Sequence, residues 1–221
     1  MRPSLSDPLD QAVWDYTPPH PPIAPFRFTG LILASRSPQR EMLLRQLSVP
    51  FRIVVSEHDE DVSDGRPAHT VQQNARGKAE EVLARVDLQP GELVLGVDTV
   101  VVSDGEILGK ARDEAEAARY LRRLATRRHE VFSGLYLTTR KLALTGHAVT
   151  GVTFRSLTDA ELGAYVASGE WRDRAGAYAI QGIGSALVQR VDGDYFNVVG
   201  LPVAELLRLL AGFGVTPFSW L

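Results

Sequence analysis

The stretch LILASRSPQREMLLRQL, residues 31–47, constrains this chain most. Leu31 to Ala34 is an apolar run suited to a buried strand. A polar knot follows, Ser35 to Arg40, after which Leu43, Leu44 and Leu47 share one helical face. The order is strand, tight loop, helix. Ser37 suits the N-cap, Pro38 the first helical position, and Glu41 the first turn, where a carboxylate meets the positive end of the helix dipole. A helix that begins directly after a buried strand points free N–H groups at the sheet's carboxyl edge, which is an anion site by geometry. Ser35 and Ser37 add hydroxyls there, and Arg36 and Arg40 add charge. The competing reading is a capped helix with solvated arginines. A Walker loop is excluded, because its glycines and its Gly-Lys-Ser/Thr ending are absent.

A second strand is expected over Phe51–Val55, running into the acidic SEHDED of Ser56–Asp61. Such a cluster is either solvated loop or an oxygen-ligand site for a hard cation. A helix is expected from Thr70 to Val86, with Val71, Ala75, Ala79, Val82 and Val86 as its apolar stripe. Lys78 lies at the edge of that stripe, either snorkelling or reaching into a cleft. LVLGVDTVVV, Leu93–Val102, is the most strand-like segment, and Asp98 sits in its middle. A lone buried carboxylate costs several kcal/mol. Asp98 must therefore be paired, metal-bound or at the strand's exit into a site. Asp113 and Glu116 predict a capping box for a helix to about Ala125, whose end carries a solvated basic face of Arg122, Arg123, Arg127 and Arg128. Val131–Thr139 and Leu142–Phe154 read as a hairpin around Arg140-Lys141. Thr158 and Glu161 cap a further helix that stops at Gly169. DRAGAYAIQGIG, Asp173–Gly184, is tight, glycine-rich backbone suited to lie against a ligand, and the Gln181 amide suits a base edge. Pro202 opens a last, leucine-rich helix. The five histidines lack metal-ligand spacing and read as structural or surface residues.

Residues 1–29 differ from the rest. Prolines in TPPHPPIAPF remove donors and fix φ, so an extended, flexible N-terminal arm is expected, followed by one domain over 30–221. The arm is either a disordered leader or one whose Trp14, Tyr16, Phe26 and Phe28 pack on the body or on a partner. With 44% hydrophobic and 23% charged residues, that domain can bury a core. A net charge of −3 gives no global field for nucleic acid. No apolar run reaches membrane-spanning length, and no signal-peptide pattern opens the chain, so no membrane partner is expected. The absence of cysteine excludes disulfides and thiolate metal sites and fits a cytoplasmic protein. Only three of 24 basic residues are lysine: Lys78, Lys110 and Lys141.

These motifs together resemble the Maf family of nucleotide pyrophosphatases, also called septum-formation-inhibitor-like proteins. LILASRSPQR, EHDED, ARGKA, LGVDTVVV, ILGK, HEVFSG, DRAGAYAIQG and NVVGLP stand in family order from about Leu31 to Leu210. The resemblance implies an α/β fold similar to that of the inosine triphosphate pyrophosphatases: a two-lobed mixed sheet flanked by helices, with a deep cleft. It implies hydrolysis of nucleoside triphosphates to the monophosphate and pyrophosphate with Mg²⁺ or Mn²⁺, in a cytoplasmic and often dimeric protein. It makes Asp98 the general base, though sequence leaves Asp98 open as base or metal ligand. It puts Ser35, Ser37, Arg40, Lys78 and Lys110 on phosphates and makes Glu60 a metal ligand. The competing class, suggested by the septum name, is a nucleotide-binding regulator of cell division without turnover.

Three positions track base preference in the resembled family, here Gln39, Thr99 and Gln181. The branch acting on dTTP and UTP shows Arg, Thr and Gln; the branch acting on 7-methyl-GTP shows Trp, Gln and Glu. Two of three match the pyrimidine branch. A glutamine amide pairs with the O4 and N3–H of uracil or thymine, whereas methylated guanine calls for a carboxylate acceptor. Gln39, Ala111, Trp171 and Ala179 depart from the commonest family pattern, and of these Gln39 bears on substrate choice.

Overall fold

The computed structural model describes residues 26–221. Strand β1 (Gly30–Leu33) leads through the polar knot into helix α1 (Pro38–Gln46), and β2 (Phe51–Ile53) returns parallel to β1. Helix α2 (Pro67–Arg85) crosses back to the long strand β3 (Glu92–Ser103), which also lies parallel to β1. Everything after β3 is antiparallel: β4 (Glu106–Leu108) folds back on its end. After helix α3 (Glu114–Leu124), β5 (Arg128–Thr138) and β6 (Ala143–Phe154) form the expected hairpin. Helix α4 (Asp159–Ser168) and a 3-10 turn (Gly182–Leu187) precede β7 (Val188–Asp192), and α5 (Tyr195–Val199) and α6 (Val203–Gly212) close the fold. The result is an open, mixed, seven-stranded sheet in the order β2-β1-β3-β5-β6-β7, with β4 off β3. This is the α/β class expected from the sequence.

Strand alternation sorts the core into two layers. Leu31, Leu33, Leu93, Leu95, Val97 and Val101 enter the larger cluster with Leu43 and Leu44 of α1, Leu121 and Leu124 of α3, and Leu206, Leu209 and Leu210 of α6. Ile32, Ala34, Val94, Val100 and Val102 face the opposite way, onto Val71, Ala79 and Val82 of α2. Helix α2 lies unusually close to the sheet because two strand residues opposite it are glycines. A Cβ on Gly96 would collide with the Ala75 carbonyl oxygen, and one on Gly134 with the Val71 backbone.

Several local details differ from expectation. Helix α2 starts at Pro67, a turn before Thr70, because proline serves at N1 and the turn precedes the apolar stripe. β2 stops at Ile53, and β7 adds a strand that the sequence pattern does not signal. The Ser37 side chain makes no capping bond; its hydroxyl donates to Gln39 Oε1 at 3.3 Å. Asp113 accepts from the Glu116 N–H at 2.8 Å, but the Glu116 carboxylate turns to Arg112, so the box is half formed. Thr158 and Glu161 form the complete box, and Gly169 ends α4 in the left-handed region at φ 74°. The basic face after α3 is ion-paired, not merely solvated: Arg122 with Asp159, Arg123 with Glu106, Arg127 with Asp104 and Arg128 with Glu130. Most of the expected N-terminal arm lies outside the described residues. Of its aromatics, Phe26 meets Phe213 at 5.9 Å between ring centres, and Phe28 meets Trp220 at 6.2 Å.

Candidate active site

The pairing of β3 explains where a cleft opens. β1 pairs with β3 only over Glu92–Leu95, and β4 pairs only over Val101–Ser103. Between them, Gly96 to Val100 have β5 on one side and no strand on the other. The gap faces the N-terminus of α1. A cleft of about 540 Å³ fills it, lined by the polar knot, part of the acidic loop, Asp98 and Thr99, Lys110, and residues 172–175.

Alternation sends neighbouring β3 residues to opposite faces. Asp98 points toward α2, where the short sidestep allowed by Gly96 and Gly134 brings two side chains onto it. Lys78 Nζ donates to Asp98 Oδ1 at 2.6 Å and to Glu60 Oε1 at 2.7 Å. Asn74 Nδ2 donates to Asp98 Oδ2 at 3.0 Å. Asp98 is 3% exposed and Lys78 7%, so Lys78 is a buried counter-ion and does not snorkel. Asp98 is paired and also lines the cleft, so two of the readings left open for it hold together. Burial works to raise the Glu60 carboxyl, but Lys78, Lys110 and Arg40 outweigh it and leave Glu60 depressed to about 2. Lys110 Nζ stands 3.5 Å from Glu60 Oε2.

Thr99 points the other way, toward α1. Its hydroxyl accepts from Arg40 at 3.2 Å and shares a 2.8 Å bond with Ser133 Oγ, its register partner on β5. Arg40 is 8% exposed and held on three sides: it donates also to Ser35 Oγ at 2.9 Å and to the Gly200 carbonyl at 2.9 Å. Burial lowers the Arg40 guanidinium from its usual range, and the fields of Asp98 and Glu60 oppose that. The Ser37 N–H donates to Ser35 Oγ at 3.2 Å.

The structure therefore gathers Ser35, Ser37, Gln39, Arg40, Glu60, Lys78, Asp98, Thr99 and Lys110 at one cleft. Gln181 is not among the residues that line it; half-buried, it heads the 3-10 turn. Six cations face the cleft (Arg36, Arg40, Lys78, Lys110, Arg172 and Arg174) against four acids (Asp59, Glu60, Asp98 and Asp173). The whole chain is net negative at −3, so this local excess of positive charge marks a place for a polyanion. Three polar residues here were not singled out from sequence. Ser133 lies inside a strand-like run. Arg174 belongs to the glycine-rich stretch and keeps a buried Nε without a partner. Asn74 sits four residues before Lys78, and that polar i, i+4 pair beside an apolar stripe was the available signal.

Among the described residues no three His, Asp or Glu side chains come together as a cage for a metal ion. Asp98 and Glu60 do share one ammonium, so both reach the same small region of the cleft. Among the described residues no helix is long and apolar enough to cross a membrane.

Comparison with known proteins agrees with this geometry. The chain is 46% identical over 190 residues to the dTTP/UTP pyrophosphatase of Symbiobacterium thermophilum, covering 86% of this chain and 96% of that protein. It is 45% identical over 189 residues to the dTTP/UTP pyrophosphatase of Deinococcus radiodurans, covering 86% and 95%. It is 48% identical over 188 residues to that of Moorella thermoacetica, covering 84% and 95%. The sequence profile of the Maf-like proteins matches residues 30–213, a span that contains every side chain of the cleft described above, and the chain belongs to the Maf-like protein family.

Proposed function

We propose that this protein hydrolyses nucleoside triphosphates, dTTP and UTP foremost, to the monophosphate and pyrophosphate. The observation that carries this reading is the cation-rich cleft with the buried Lys78–Asp98 pair in its floor, in a chain close to half identical to dTTP/UTP pyrophosphatases. The chain's own groups divide the work. Ser35, Ser37 and the start of α1 present hydroxyl and N–H donors to phosphate oxygens, with Arg40, Lys78 and Lys110 supplying charge. Pyrophosphate leaves as water attacks the α-phosphorus, and cations fixed before the reaction stabilise the charge that moves onto it. Asp98 orients that water and receives its proton at the carboxylate.

A divalent cation, Mg²⁺ or Mn²⁺, fits the donor set in one way. Mg²⁺ is commonly held by one or two carboxylates plus substrate phosphates, not by an all-protein cage. Asp98 and Glu60 supply the two carboxylates, oxygen ligands suited to hard cations. When bound, such an ion neutralises charge on the triphosphate. Lys78 then has phosphate oxygens as alternative partners.

Base choice falls to Gln39 and Thr99 at the cleft, with Gln181 as the third position. In place of the arginine common in the pyrimidine branch, Gln39 is shorter and uncharged, so CTP is a candidate secondary substrate. Pyrophosphate release measured as kcat/KM for dTTP, UTP, CTP and 7-methyl-GTP tests the proposal. Turnover greatest with dTTP and UTP is expected. A preference for 7-methyl-GTP overturns the base assignment, and no release from any of the four overturns the hydrolytic reading in favour of a nucleotide-binding regulator. The same reading makes this a cytoplasmic, homodimeric enzyme whose catalytic domain spans residues 30–221, with Phe26 and Phe28 of the preceding arm packed against it.

A further inference from the structure

Lys78 and Asn74 are one helical turn apart on α2, and each grips the same two parts of the site. Lys78 takes one oxygen of Asp98 and the carboxylate of Glu60. Asn74 takes the other oxygen of Asp98, and then closes on the backbone of Asp61. Its Nδ2 donates to the Asp61 carbonyl at 3.0 Å, and its Oδ1 accepts the Asp61 N–H at 3.0 Å. Asn74 is 2% exposed, and both its amide nitrogen and its amide oxygen are engaged. The acidic loop has no regular secondary structure over residues 55–62, and before residue 60 α2 ties it at Glu57, whose N–H donates to Glu81 Oε2 at 3.1 Å. Its direct ties to α2 at residues 60 and 61 are the Lys78 ion pair and the two Asn74 backbone bonds. The first is a long flexible ammonium that phosphates can draw away. The second is a short neutral amide that no anion competes for.

We infer that Asn74 is a positioning residue for hydrolysis: it anchors Asp98 through Oδ2, leaving Oδ1 as the working oxygen, and it holds the Glu60 loop against α2 when Lys78 turns to phosphate. This rests on the hydrolytic reading above. Oriented carboxylates depend on such neighbours, and removing a partner that orients a working group commonly lowers activity ~10–100-fold. Asn74 touches no substrate, so its loss should fall on turnover and spare binding.

Two full-length variants test it. Asn74→Leu keeps the approximate size and removes every polar contact. Asn74→Asp keeps an acceptor for the Asp61 N–H but has no donor for Asp98 at pH 8. With dTTP at pH 8, both are expected to lose kcat ~10–100-fold, and in Asn74→Leu, which adds no charge to the site, KM stays within about threefold. Amide exchange at Asp61 is expected to speed up in Asn74→Leu, which loses both backbone bonds. Unchanged kcat in both variants overturns the inference. So does a full-rate Asn74→Asp, which would make Asn74 a loop tether only, or a KM that in Asn74→Leu rises as far as kcat falls. An active wild type with unaffected variants overturns this role alone, whereas an inactive wild type overturns the hydrolytic reading together with it.

Discussion

Removing Lys78 tests whether the buried ion pair organises the cleft. In Lys78→Met the chain keeps a side chain of similar length and loses the ammonium. The Asp98 side chain is 5% exposed and would keep only the Asn74 bond. The Glu60 side chain is 38% exposed, so it can turn to water and adds little to the cost. Taking one partner from a buried pair costs about 3–5 kcal/mol, and the surviving Asn74 bond argues for the lower end, ~3 kcal/mol. In a domain of this size each kcal/mol shifts the melting temperature by about 2–4 °C, so a fall of about 6–12 °C is expected. Adding Asp98→Asn should then restore much of the loss. The uncompensated charge disappears, and the new amide can turn its oxygen to the Asn74 Nδ2. Thermal melts of wild type, both single variants and the double variant, without nucleotide, measure the cycle. A Lys78→Met melt within 2 °C of wild type, or a double variant less stable than Lys78→Met, would refute the reasoning.

Asp98→Asn alone should keep the fold and lower turnover at least ~100-fold, the usual scale for losing a base or ligand; near-normal pyrophosphate release would remove Asp98 from the chemistry. Gly96→Ala should force α2 off β3 at the Ala75 carbonyl, destabilise the protein by about 1–3 kcal/mol and lower kcat as Lys78 and Asn74 shift; a variant with wild-type melting and turnover would show that α2 has slack there. His129 is 2% exposed, shares a 2.9 Å bond with Tyr178, and burial lowers it to about 4. The unfolded chain takes up this proton near pH 6.5 and the folded chain only near 4, so the stability it contributes is complete above pH 6.5 and lost as pH falls toward 4. That amounts to ~3 kcal/mol, and urea midpoints at pH 7.5 and 4.5 should show a smaller decline in His129→Gln than in wild type.

What the sequence disclosed followed from effects that act along the chain. The leucine face of α1, the Thr158–Glu161 box and the apolar, strand-like run of Leu93–Val102 are set by neighbours a few residues apart, and they appeared where expected. Asp98 was legible for a different reason: a carboxylate inside an apolar strand demands a partner, whatever the fold. Which partner it takes was not legible, because the answer depends on how closely α2 approaches the sheet. That approach is set by Gly96 and Gly134, whose meaning lies in what faces them and not in their flanks. In sequence they read only as small residues in two strands.

The same physics separates Asn74 from Lys78. A lysine beside an apolar stripe draws notice as a charge, while an asparagine in a helix reads as an ordinary polar residue. Once α2 is laid on the glycines, however, positions 74 and 78 must face the same strand residue, because they are one turn apart and strand alternation offers them Asp98 between Gly96 and Val100. Thr99, one residue on, is carried to the opposite face, where Arg40 meets it from α1 and is itself bonded to Gly200. The gap in β3's pairing thus exposes two adjacent residues to two different helices. An acid held by cation and amide lies on one face, and a hydroxyl held by a buried arginine lies on the other. A triphosphate entering the gap would meet both sets together, which is why a single interruption in one strand ladder suffices to assemble this site from segments as distant in sequence as residues 35 and 200.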